Sequence, residues 1–372
     1  MLIRFDAGGE PGVLVRMLQE VASAPEVGLL VVLACDANNY CPADLDPVLR
    51  ECGKPLVGGV FPQIISDGVV HARGTIVAGL ACRATTLALH RLDDPANDFE
   101  AQIDASLAGA AYDRGTLFTF VDGRSGRIGA LIDALFNTFG LGIDYLGGGA
   151  GSLVEGRRAC VICNQGLLTD AAVLAMTDIG AGIGVAHGWQ SISQAFRVTE
   201  AQRNTIVSLD WRPAFEVYRE VVEPHAGRRF DDTAFFDLAK AYPFGIAKLD
   251  DEMVVRDPLV EDCGRLVCVG EVERGAYVHV LHGNVASLVD AAGRASLIAQ
   301  SSYRGASARA SVFLIDCISR VLFLQDSFAS ELAAVKRDGP LIGALTLGEI
   351  ANSGRTFLEF YNKTVVVGLL DA

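Results

Sequence analysis

Asp316 and Arg320 stand four residues apart, just after the apolar run 312–315. An acid and a guanidinium so placed could clamp the two ends of a zwitterion, because the planar guanidinium matches a carboxylate and the acid attracts an ammonium. Cys317 lies between them, and Glu349 and Asn362 would join if the chain folded back at Gly343 and Gly348. Two more acids occupy a similar place: Asp36 follows the run 29–34, and Asp122 follows 116–121. In open α/β sheets, ligands bind beyond the carboxyl ends of strands, so the three acids could converge on a pocket. Each could equally cap the helix that follows it.

The densest glycine cluster is Gly147, Gly148, Gly149 and Gly151, with Ala150 among them and Ser152 after. Such a stretch must turn sharply or approach something closely. A phosphate loop needs glycines that open a helix, whereas this cluster leads through Arg157 and Arg158 into a strand and lacks Gly-Lys-Ser/Thr. His187, beside Gly188 and Trp189, could ligate a haem iron, the glycine leaving room for the ring; Cys317 is a second candidate for that role. His187 could also simply bond a backbone carbonyl. His279 and His282, three apart on an expected strand, fall on opposite faces and cannot share a metal. Cys160 and Cys163 sit inside a strand-like run instead of at the turn a redox or zinc pair needs. Gly123-Arg124-Ser125-Gly126 lacks the spacing of a nucleophile elbow and reads as a polar turn, so no catalytic constellation emerges.

Three copies of one unit position these residues. Each has a β-type run ending near an acid, a helical segment, an apolar run into a glycine turn, and then a hairpin and strand. The first copy runs through 29–34, the helix 42–51, Gly58-Gly59 and the strand 75–80. The second has 116–121, a helix over 127–139, the glycine cluster, and strands at 159–163 and 171–176. The third has 312–315, Gly343 and Gly348, and strands at 357–360 and 364–369. Other helices are expected over 12–24, 99–111, 233–241 and 285–302, and strands over 252–256, 264–269 and 275–281. The spacing is too irregular for a solenoid, so duplication followed by divergence is expected.

The chain has 372 residues, 51% of them hydrophobic, with 40 glycines, which suits a large α/β protein with many turns. Its net charge of −14, without a long basic run, argues against nucleic acid or an anionic membrane as partner. Nine scattered cysteines, mostly in apolar runs, read as buried thiols of a reducing compartment. No leader-like start or 18-residue apolar span is visible, so a cytoplasmic protein is expected.

The three glycine stretches, His187-Gly188-Trp189 and Gly348-Glu349-Ile350 together resemble the FIST family of bacterial intracellular sensor domains. Its N-terminal module carries a glycine turn similar to Gly147–Ser152 and a later pattern similar to Val198-Thr199, Leu209-Asp210 and Pro213-Ala214. Its C-terminal module has steps similar to Cys317 through Arg320 and to Asn362-Lys363-Thr364. Ser152 stands where the family usually has Asp, and Trp211 where it has Gly. The resemblance implies binding instead of chemistry: a small, amino-acid-like ligand, or haem in a nitric-oxide sensor with His187 as axial ligand. It also implies output through a separate signalling protein, such as a histidine kinase or a cyclic-dinucleotide enzyme. On the residues themselves, the expected ligand-binding set is Asp316, Cys317, Arg320, Gly343, Gly348, Glu349, Asn362, Gly147, Gly148, Gly151 and Asp122. The expected fold is α/β, with two modules (1–224 and 225–372) of mixed sheets flanked by helices.

Overall fold

The computed structural model describes residues 1–107, 109, 115–154, 156–248, 253–305, 310–352 and 357–371. The expected end of the helix over 99–111 and the start of the strand at 252 fall outside them. Three six-stranded sheets share one plan. Each is built on a parallel pair: Leu29–Cys35 with Leu56–Phe61, Thr116–Asp122 with Asp144–Ala150, and Ser311–Cys317 with Leu341–Thr346. The first strand of each pair is buried at every residue. That explains why these runs are continuously apolar instead of alternating. An antiparallel strand flanks each pair, Thr75–Leu80, Ala171–Thr177 or Val365–Leu370, and an edge strand follows it: Leu2–Asp6, Ala84–His90 or Ala181–Ala186.

The hairpins break the expected unit. Each leaves its own sheet and completes a neighbour's. Gln63–Ser66 and Val69–His71, from the first unit, pair beside Leu341–Thr346 of the third. Val161–Cys163 and Gly166–Leu168, from the second, pair beside Leu56–Phe61 of the first. Glu349–Asn352 and Leu358–Tyr361, from the third, pair beside Asp144–Ala150 of the second. The exchange is cyclic, so the three sheets meet around a common centre. Phe61 packs on Phe120 and Phe118 on Phe313 there, each pair edge-on with ring centroids 5.9 Å apart.

The glycines expected to form turns lie instead inside strands at this centre. Gly58, Gly147 and Gly343 face Val32, Thr119 and Leu314 across the parallel pairs. A Cβ on any of them would fall 1.9, 1.8 or 2.2 Å from that neighbour's carbonyl oxygen. Close approach of main chains, not a turn, is what selects glycine. Gly348 does sit at a turn, at φ +93, with the Phe360 ring where a Cβ would have to go.

Between the edge strand Ala181–Ala186 and the helix Val285–Ser302, the third unit carries an insertion that the first two lack. It forms a nine-stranded sheet whose central order is Val254–Arg256, Phe244–Ile246, Tyr277–His282, Phe196–Gln202, Thr205–Leu209, Arg265–Cys268, Pro258–Asp262. Its core is aromatic, with Phe230, Phe235 and Phe244 all packed on Tyr218. The helix Val285–Ser302 is started by a capping box between Asn284 and Ser287. It lies close on Ala181–Ala186 because Gly182 and Gly184 meet its small face of Ala295 and Ala299. The expected helix 233–241 is shorter, Phe235–Ala239 after a 3-10 turn. No helix among the described residues is long and apolar enough to cross a membrane.

Candidate functional site

The carboxyl ends of the first two parallel pairs converge on a small cleft. It is narrow, with room for a water-sized group, and is lined by Asp36, Val60, Asp122, Arg124, Gly151, Ser152, Gly156, Arg158, Ala159 and Cys160. Main-chain bonds close its floor, Gly151 N–H to Val60 O at 2.8 Å and Val60 N–H to Cys160 O at 2.8 Å. Asp122 is buried and accepts from Arg157 Nε and the Asp170 amide, each at 2.9 Å. Arg157 also reaches Asp93 at 2.7 Å and donates to Ser125 Oγ at 2.7 Å. Arg124 donates to the carbonyls of Ser152 and Val154, both at 2.8 Å, and so shapes the rim. Ser152 donates to Asp36 at 2.5 Å. Arg158 differs from the other two arginines: its side chain is 49% exposed and its pair with Asp36 is long, 3.7 Å. The cleft thus presents a lightly held cation next to an acid, within reach of solvent.

The three acids singled out by sequence do not share a position. Register makes Cys35, Asp122 and Cys317 equivalent; Asp36 lies one residue further on and Asp316 one residue earlier. Asp36 has left its strand for the 3-10 turn Asp36–Asn38, while Asp122 and Asp316, one register position apart, face opposite sides of their sheets. Nor does any of them cap the next helix, whose N-cap positions make no side-chain cap bond. Asp36 and Asp122 look into the cleft, while Asp316 looks into the protein.

Asp316, Arg320, Glu331 and Glu349 are fully buried together. Arg320 donates through Nε and Nη2 to Glu331 at 2.8 Å and lies 3.3 Å from Asp316. Its remaining hydrogens go to the carbonyls of His187 (2.6 Å), Lys363 (3.2 Å) and Leu288 (3.1 Å). Burial, then the negative Glu331, pushes the Asp316 carboxyl well above the carboxylate range. A second buried pair adjoins: Lys363 Nζ meets Asp257 at 3.1 Å and lies 5.0 Å from the Trp189 ring centre. Trp189 Nε1 in turn donates to Lys363 O at 3.1 Å. Asp257 and Trp189 come from the insertion, so the network joins it to the third sheet. Gly343 lies against Leu314, Gly148 against Gly348, and Asn362 is buried beside Lys363.

Burial pushes Glu349 up to about 8, against the hydrogen bonds from Thr346 and Cys317 that favour its charge. The Thr346 hydroxyl lies 3.0 Å from Glu349 and 3.2 Å from Asp316 O. With one hydrogen to give to the carbonyl, it can accept another from a protonated Glu349. Glu349 therefore binds its proton more tightly folded than unfolded. Its contribution to stability is complete at pH 4 and is lost as the pH rises towards about 8. Urea midpoints measured from pH 5 to 8.5 should fall with rising pH, and Glu349→Gln should flatten that slope.

The surroundings of His187 do not fit a haem. The ring is 4% exposed, its Nδ1 accepts the Trp189 amide at 2.9 Å, and burial holds its pKa down to about 3. The space that Gly188 frees is filled by the helix Val285–Ser302, since a Cβ there would meet Ser287 O at 2.4 Å. Cys317 is likewise enclosed, its thiol pushed up by burial. Cys160 and Cys163 lie on and beside a buried strand, and burial raises both thiols.

Of the sequence candidates, the structure brings Asp122 and Gly151 to the cleft, and Asp316, Cys317, Arg320 and Glu349 to the buried network. Gly147, Gly148 and Gly343 serve the strand crossing. Sequence reasoning missed Arg124, Arg158 and Glu331; the signal available was the arginine pair immediately after the glycine cluster. In comparison with known families, residues 29–212 match the model of the FIST N domain and residues 214–352 that of the FIST C domain. No curated protein matches the chain. With both domain models matched in order over most of its length, the chain belongs to the FIST family of signal-transduction sensor domains.

Proposed function

We propose that this protein senses a small, amino-acid-like zwitterion in the cleft between the first two sheets and signals through a separate protein, such as a histidine kinase or a cyclic-dinucleotide enzyme. The observation that carries this reading is the pairing of Arg158 with Asp36 at the carboxyl ends of two parallel strand pairs. A ligand carboxylate would take the half-exposed guanidinium of Arg158. Its ammonium would face Asp36 and Asp122.

Such a ligand would touch strand ends of two units and the segment that leads into an exchanged hairpin. Preferential binding to one arrangement of those parts shifts the balance between two states, and that change is what a partner would read. Calorimetry against a panel of amino acids tests the idea. Arg158→Ala should weaken binding at least about tenfold, the worth of one charge-assisted hydrogen bond. Asp36→Asn should spare acids that lack the ammonium. Equal affinity in wild type and Arg158→Ala would remove the cleft from consideration.

A further inference from the structure

We propose that His225 and His282, in the insertion, form a two-histidine site for a nitrogen-preferring divalent metal ion such as Zn²⁺ or Ni²⁺. His225 lies in the last turn of the helix Ala214–Ala226, and His282 ends the strand Tyr277–His282. Their ring centroids are 4.8 Å apart and the planes are tilted by 53°. Two imidazoles bound to one ion through metal–nitrogen bonds of about 2.1 Å place their centroids at roughly this separation.

Tyr242 completes the arrangement. Its hydroxyl is 3.1 Å from His225 Nδ1, and its ring is 4.9 Å from that of His282. A metal-bound histidine characteristically gives its other ring N–H to an oxygen, which fixes the tautomer and leaves the opposite lone pair for the ion. With Nδ1 as the donor of that 3.1 Å contact, Tyr242 would supply the oxygen and Nε2 would be the ligand.

The charged group bearing on this cluster is Arg228, which acts on Tyr242 and would oppose a cation. His279 is turned to Ser191 and Ser193 and takes no part. Among the described residues no third histidine, cysteine or carboxylate completes a metal-binding group, so water fills the remaining positions and the ion exchanges readily. The ion would tie the end of the helix to a strand end. That strand end continues through Gly283, which packs on Trp189 of the buried network.

The test is Ni²⁺ titration of the full-length chain carrying Cys263→Ser, which removes the exposed thiol. Calorimetry should show one Ni²⁺ per chain at pH 7.5, and at least tenfold weaker binding in His225→Ala and in His282→Ala. Paramagnetic broadening of the His225 and His282 ring signals should precede that of the other histidines. No uptake of Ni²⁺, or wild-type affinity in either single variant, would overturn the proposal.

Discussion

Replacing Arg320 with methionine should destabilise the protein by about 3–5 kcal/mol, the cost of removing one partner from a buried ionic cluster. The guanidinium is fully buried and bonded to Glu331 and to three main-chain carbonyls on separate segments, His187, Leu288 and Lys363. Methionine fills much of the volume but leaves Glu331 as an uncompensated charge next to Asp316. It also strips three carbonyls of a donor, and unsatisfied buried acceptors add to the loss. Lysine should rescue only part, because a single ammonium cannot span the positions that the planar fork reaches. Urea denaturation followed by circular dichroism measures both variants. Adding Glu331→Leu and Asp316→Leu to Arg320→Met should recover most of the loss, since well-packed apolar groups can replace a buried ionic set. A wild-type midpoint for Arg320→Met alone would show that the cluster is not held by charge.

How much of this was legible in the sequence depends on how local the cause is. The helices Pro42–Glu51 and Val285–Ser302 match expectation because periodicity and the first-turn proline act within one segment. The strands Leu29–Cys35, Thr116–Asp122 and Ser311–Cys317 were legible as the unbroken β-type runs 29–34, 116–121 and 312–315. The exchange of hairpins was not, because a hairpin carries its internal pairing in its residues but not the identity of the edge it joins. The pairing of Arg320 with Glu331 was hidden for a related reason. Asp316 and Arg320 are visible as neighbours, but whether they face solvent depends on the segments laid over them, Val285–Ser302 and the loop at Lys363. The same applies to the cleft, whose arginines come from two loops that meet only after the second hairpin has crossed to the first sheet. The glycines were legible as special, with a turn and a close approach both open and the repeated unit written with a turn, because both ask for the same missing Cβ.

That last distinction yields a prediction in which one substitution type gives opposite signs at two sites. Gly147→Ala should prevent folding or cost upwards of about 4 kcal/mol, in the range reserved for severe core disruption. The added Cβ would lie 1.8 Å from Thr119 O and 2.6 Å from Thr119 C. Both atoms are main chain in the paired strand, so no side-chain rotation relieves the overlap, and the strands must separate. Separation would break the parallel ladder from Thr116–Asp144 to Asp122–Ala150 and pull Gly149 from its bond to Gly348 O. Gly58→Ala and Gly343→Ala should behave alike, because the same carbonyl of the partner strand blocks each. Gly293→Ala should instead stabilise by about 0.5–1 kcal/mol, being inside a helix with nothing within 4 Å of the new methyl. Thermal melts of the four variants decide the matter. Tolerance of alanine at all three central positions would mean that the sheets do not cross as closely as the register requires.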